Sequence, residues 1–155
     1  MHSICDLGKF SADLSSTSCS SCSAGYFSSS NGASSCMSCS EGTISSEAAK
    51  HCSNCTMGFY AATLASTTCS ACAAGSYASS ASQSNCLLCP SGKVSAAAAS
   101  SCSICWAGTY SLLMGSTACS ACASGQYSTD DGSISCSRFL LWDFQMTLLA
   151  IFKLT

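Results

Sequence analysis

The chain has 155 residues, a formal net charge of −2, 8% charged side chains and 16 cysteines. That charge offers no basic face for phosphates, which argues against nucleic acid as a partner. The large apolar side chains are too scattered to fill a core for this length, so cysteine, at about a tenth of the chain, must supply the staples of a disulfide scaffold.

The chain opens with Met1-His2-Ser3-Ile4-Cys5, which has no charged stretch leading into an apolar run and therefore no visible secretion signal. His2-Ser3-Ile4-Cys5 matches Cys102-Ser103-Ile104-Cys105 except at its first residue, so the chain is expected to begin in mid-repeat, as a fragment. From Cys5 onward a fixed rhythm takes over. Seven C-x-x-C pairs begin at Cys19, Cys36, Cys52, Cys69, Cys86, Cys102 and Cys119, and a last cysteine stands at Cys136. A period of 16 or 17 residues marks a stacked array of small units.

Eight units open at Cys5, Cys22, Cys39, Cys55, Cys72, Cys89, Cys105 and Cys122. Three residues after each stands a glycine, from Gly8 to Gly125, which predicts a turn needing positive φ or a close approach of the neighbouring chain. Two residues further on comes Phe10, Phe27, Ile44, Tyr60, Tyr77, Val94, Tyr110 or Tyr127, followed each time by serine or alanine. The aromatic and β-branched types predict a short extended segment whose large side chain covers a disulfide, worth roughly 1.5–3 kcal/mol if fully buried. Each unit then reads as turn, short strand, polar loop and next cysteine. A slower rhythm of 50 residues relates the units at Cys39 and Cys89, pointing to duplication of a three-unit block. In those two units the loops Glu47-Ala48-Ala49-Lys50 and Ala96 to Ala99 carry enough alanine to support one helical turn.

The spacing of the pairs approaches that of a four-cysteine zinc ribbon. Seven pairs do not divide into four-cysteine sites, and Cys5 and Cys136 would be left over. Disulfides use every cysteine if the second member of each pair bonds the first of the next: 5 with 19, 22 with 36, 39 with 52, 55 with 69, 72 with 86, 89 with 102, 105 with 119 and 122 with 136. Each bond would close a loop worth about 3 kcal/mol by chain entropy. An interlocked scheme, with Cys19 to Cys36 and Cys22 to Cys39, remains open, since sequence does not fix connectivity. So many bonds place the working protein outside the cytosol, in an extracellular or cell-surface setting.

Catalytic groups are scarce. His51 abuts Cys52 with Glu47 as its nearest carboxylate in sequence, and Asp130-Asp131-Gly132 lacks the spaced ligands of a calcium loop and reads as a turn. A thiol oxidoreductase needs one reactive C-x-x-C at a helix N-terminus, which repeated structural copies do not provide. No catalytic, cofactor-binding or metal-binding residue is assigned, and no cofactor is expected. Asn54-Cys55-Thr56 is formally a glycosylation sequon, with an unmodified asparagine as the competing reading.

After Cys136 the pattern stops, and Phe139 takes the slot of the next cysteine. Residues 139–155, FLLWDFQMTLLAIFKLT, are apolar but shorter than the roughly 20 residues of a membrane span. They read as a truncated span, a membrane-surface segment, packing against the last repeats or a non-native extension. The expected organisation is a repeat region over 1–137 and a hydrophobic tail over 138–155.

Units written C-x-x-C-x-x-G-x-[aromatic]-[Ser/Ala], such as Cys102 to Ser111 and Cys119 to Ser128, resemble the ephrin-receptor-like cysteine-rich repeats, relatives of the growth-factor-receptor and tumour necrosis factor receptor modules. The resemblance covers Cys5 to Cys136. It departs from the family pattern in lacking proline after the second cysteine, apart from Pro90, and in placing Ile44 and Val94 in the aromatic slot. It implies a small disulfide-rich repeat array, an elongated rod of eight units with short β segments and little regular secondary structure. The implied role is a non-enzymatic extracellular stalk or spacer in a surface or secreted protein. A receptor-like module that binds a protein ligand is the first alternative, and an intracellular zinc binder the second. Partners would be a protein ligand or a neighbouring ectodomain, with a membrane reached through the tail or missing parts.

Overall fold

A computed structural model describes residues 4–13 and 18–139. His2 and tail residues 140–155 lie outside the described residues. Every unit folds as one antiparallel hairpin of two-residue strands, and no helix occurs among the described residues. In the first unit Lys9–Phe10 pairs with Ser20–Ser21, in the register Lys9 to Ser21 and Phe10 to Ser20. The same register recurs down to Gln126–Tyr127 against Ser137–Arg138. The first strand is the segment after the glycine, and the second is the pair of residues inside each C-x-x-C or, in the last unit, between Cys136 and Phe139. A strand of two residues cannot hold itself together in water, and an isolated hairpin is marginal at best. These hairpins persist because each is clamped at its ends.

One clamp is covalent. Cys5 bonds Cys19, Cys22 bonds Cys36, Cys39 bonds Cys52 and Cys55 bonds Cys69. Cys72 bonds Cys86, Cys89 bonds Cys102, Cys105 bonds Cys119 and Cys122 bonds Cys136. No cysteine is free. Each bond therefore joins the second cysteine of one pair to the first of the next, with Cα atoms 5.6 to 5.8 Å apart, within the ordinary span of a disulfide. The second clamp is the glycine carbonyl, which accepts a hydrogen bond from the next opening cysteine, as in Cys22 N–H to Gly8 O at 2.9 Å.

The core is not built from the aromatic residues. Phe10, Phe27, Tyr60 and Tyr77 are only half-buried, whereas the opening cysteines from Cys22 to Cys105 are fully buried. The small residue after the aromatic slot is buried with them: Ser28, Ser45, Ala61, Ala78, Ser95 and Ser111. Sulfur and Ser/Ala side chains thus form a narrow spine, with the larger rings along its flank. The spine is thin because successive units approach at backbone distance, which leaves room only for small groups.

The alanine-rich loops do not form the helical turn that their composition favours. Ala48 and Ala98 have φ of 55° and 57°, in the left-handed region, and Ala49 and Ala99 bridge to Phe27 and Tyr77 of the preceding units. Two stapled ends and a backbone partner in the adjacent unit outweigh a propensity of a few tenths of a kcal/mol.

Candidate functional site: the joints between units

The most elaborately built feature of the molecule is the joint between consecutive units, which is made chiefly by the backbone. The glycine N–H of one unit donates to the carbonyl of the small buried residue in the next: Gly8 to Ser28 at 2.9 Å, Gly58 to Ala78 at 2.9 Å, Gly92 to Ser111 at 2.8 Å. The N–H of that small residue reaches a loop carbonyl of the following unit, as in Ser28 to Ala49 and Ala78 to Ala99, both at 3.1 Å. Where the small residue is serine, its hydroxyl can add a further bond: Ser45 Oγ donates to Tyr26 O at 3.0 Å, and Ser95 Oγ to Ser76 O at 2.9 Å.

A third contact returns in the opposite direction. Ten residues after each opening cysteine from Cys22 onward, or nine in the short units of Cys39 and Cys89, stands a residue with positive φ: Gly32, Ala48, Ala65, Ser82, Ala98, Gly115 and Gly132. Its N–H donates to the opening cysteine's carbonyl in the preceding unit, from Gly32 to Cys5 at 2.7 Å through Gly132 to Cys105 at 2.7 Å. From Ala48 onward its own carbonyl lies against the fixed-offset glycine two units back. The Ala48 carbonyl occupies the space of a Cβ on Gly8, and the Ser82 carbonyl does the same at Gly42. Those glycines are required twice over, by φ near +80° and by a carbonyl where a side chain would be. Gly108 and Gly125 share the φ but have nothing within 4 Å at that point.

The residue just before each opening cysteine complements the left-handed residue of the next unit in size. Ile4 lies against Gly32, Leu88 against Gly115 and Ile104 against Gly132, their side-chain atoms meeting the space of a missing Cβ at 3.4, 3.1 and 3.2 Å. Where the left-handed residue is Ala48, Ala65, Ser82 or Ala98, the corresponding residue is Ser21, Ser38, Asn54 or Ala71. Large meets glycine, and small meets alanine or serine. This pairing was present in the sequence, but it was invisible without knowing which positions of neighbouring units touch.

Little chemistry is assembled elsewhere. A depression of about 360 Å³ near Tyr60 is walled by Thr63, Ser66, Thr67 and Ser70, with no acid–base pair facing it. His51 is an exposed loop residue. Asp131 is a structural acceptor, its Oδ1 taking the Ala107 N–H at 3.0 Å and tying the turn of the last unit to the one before. Among the described residues no group of three His, Cys, Asp or Glu side chains is placed to hold a metal ion, and a zinc reading has no thiolate left to use. None of the described helices or strands is a helix long and apolar enough to cross a membrane. Asn54 sits in a strand, exposed, opposite Thr43.

Phe139 takes the slot of an opening cysteine without its sulfur, and its backbone continues the repeat. Its N–H donates to Gly125 O at 3.2 Å, the bond that opening cysteines make elsewhere, and its ring lies 4.5 Å from that of Tyr127.

No curated protein matches the chain. A family model described as tyrosine-protein kinase ephrin type A/B receptor-like matches residues 8–48, 61–101 and 92–138, well over half of the sequence. Those spans contain the glycine turns, the stapled hairpins and most of the joints described above, and the chain belongs to the ephrin receptor-like family of cysteine-rich repeats.

Proposed function

We propose that this chain is a non-enzymatic extracellular segment of a surface or secreted protein, acting as a stalk or spacer. Residues 1–137 supply the repeat array, and 138–155 an apolar tail, a truncated membrane segment or a non-native extension, whose first residues Arg138 and Phe139 still complete the last hairpin. The observation that carries the reading is the uniformity of the joints: the same backbone bonds recur from Gly8–Ser28 to Gly108–Ser128. A structure that repeats one joint sets a length and a direction, and its mostly Ser and Ala loops offer few anchors of the kind that dominate binding interfaces. An oxidising compartment is needed to keep sixteen cysteines bonded. The test is intact mass spectrometry of protein secreted from an oxidising host, with alkylation before and after reduction. Complete resistance to alkylation before reduction supports the extracellular reading, and reactive thiols with bound metal overturn it. A distance measurement between labels on the first and last units tests the spacer: a single narrow distribution is expected, and a broad one defeats it.

A second reading, a module that contacts a protein ligand, is favoured by one unit. Between Cys105 and Cys119, Trp106, Leu112, Leu113 and Met114 are all 61 to 70% exposed. Aromatic and apolar anchors of this kind are what a binding surface uses. Under this reading Trp106→Ser with Leu113→Ser abolishes binding of the purified array to cells. Under the spacer reading the pair changes only solubility.

A further inference from the structure

We infer that Asn54 is an acceptor for N-linked carbohydrate and that the glycan projects from the array at the end of its third unit's hairpin. The sequence supplies Asn54-Cys55-Thr56, whereas Asn31 and Asn85 are followed two residues later by Ala33 and Leu87 and have no such hydroxyl. In the structure Asn54 and Thr56 are both exposed. Neither the Asn54 amide nor the Thr56 hydroxyl is engaged by another described group. Asn54 is joined to the fold through its backbone, as the strand partner of Thr43. At the equivalent places before other opening cysteines Ile4 and Leu88 stay 70% and 58% exposed, so a side chain at this register reaches solvent. The disulfide of the middle residue is compatible with the modified side chain, because Cys55 turns inward to full burial while its two neighbours face solvent.

The transfer balances with a lipid-pyrophosphate-linked oligosaccharide as donor. The Asn54 Nδ2 forms a bond to the anomeric carbon as the bond from that carbon to the pyrophosphate oxygen breaks. The lipid pyrophosphate leaves with the electron pair, and one amide proton passes to a base of the transferase. In the finished fold the Cys55 N–H is committed to Gly42 O at 2.9 Å and its sulfur to Cys69. Transfer therefore precedes closure of this hairpin, while the sequon is still flexible chain.

The inference rests on passage through the secretory route, and the experiment separates the two by delivering the chain there regardless. The full chain, behind a cleavable secretion signal, is translated into microsomes and compared with Asn54→Gln and Thr56→Ala. The expected result is a one-glycan mass increment that is removed by amidase treatment with conversion of Asn54 to aspartate. The increment is absent from both variants and retained in Thr56→Ser. A translocated wild-type chain without the increment overturns the assignment. The glycosylated species is then alkylated without reduction: sixteen protected cysteines support an outward-facing glycan, and free thiols at Cys55 and Cys69 overturn that placement.

Discussion

Leu88, which ends the hairpin of one unit, lies over Gly115 two units on, its Cδ2 3.1 Å from the point where a Cβ would stand. The pair joins the end of one C-x-x-C to the left-handed turn of the following loop, whose N–H is held by Cys89 O at 2.8 Å. Gly115→Ala must displace Leu88 and also adopt φ of 73° with a side chain. The double variant Leu88→Ala/Gly115→Ala removes the collision but not the backbone strain. A double-mutant cycle in denaturant, without reductant, should show the two changes coupled by about 0.5–3 kcal/mol. Strict additivity would mean that the contact carries no energy.

The size rule can be moved to another joint. Ala71 and Ala98 occupy the places of Leu88 and Gly115 one unit earlier. Ala71→Leu alone should cost roughly 1–3 kcal/mol by overpacking. Adding Ala98→Gly removes the Cβ at a residue whose φ is 57° and should recover most of that loss. Thermal unfolding of the two variants decides it: no recovery in the double variant rules out size matching at this joint.

The glycine turns separate strain from collision. Gly125→Ala should cost about 1–2 kcal/mol, the penalty of the left-handed conformation alone. Gly42→Ala carries the same penalty and also pushes its new methyl into the Ser82 carbonyl, so a larger loss is expected. Hydrogen exchange at the Ser82 N–H, bonded to Cys55 O at 2.9 Å, reports the damage two units away. Equal effects at Gly42 and Gly125 would refute the contact.

At the other end, Phe139→Ala should release Tyr127. Loss of a ring pair costs about 0.5–1.5 kcal/mol, and the effect should stay local. Tyrosine fluorescence and exchange should change in the last unit, while the hairpin of Tyr26–Phe27 and Met37–Ser38 stays as it was. A change spreading to that hairpin would contradict a stack whose contacts reach only near neighbours.

The unit, its boundaries and the need for glycine were legible because each is carried by a residue type at a fixed offset. Cys22 and Gly25 announce themselves in any one unit, and repetition does the rest. Other features were hidden for physical reasons. Ser20–Ser21 has no β-forming character, and it becomes a strand only because Cys19 and Cys22 are held on either side. Ala48 favours helix locally, yet its N–H is bonded to Cys22 O and its carbonyl is packed into the space beside Gly8. The burial of Ser28 in place of Phe27 follows from how closely the backbones approach, which no single unit encodes. The joints were therefore illegible where the array is most uniform, because contact between units depends on how they stack.

The carbonyl that backs each glycine comes from two units ahead, from Ala48 for Gly8 to Gly132 for Gly92. The stack consequently has an arrow. A piece of two units contains no backed glycine, three units contain one, and every further unit adds one more behind the growing end. Cooperativity along such a chain couples second neighbours as well as first, so a local opening must loosen three consecutive hairpins before either side is free of it. Under tension the same geometry resists bending over a stretch longer than one joint, because each backed glycine ties its unit to the second one ahead.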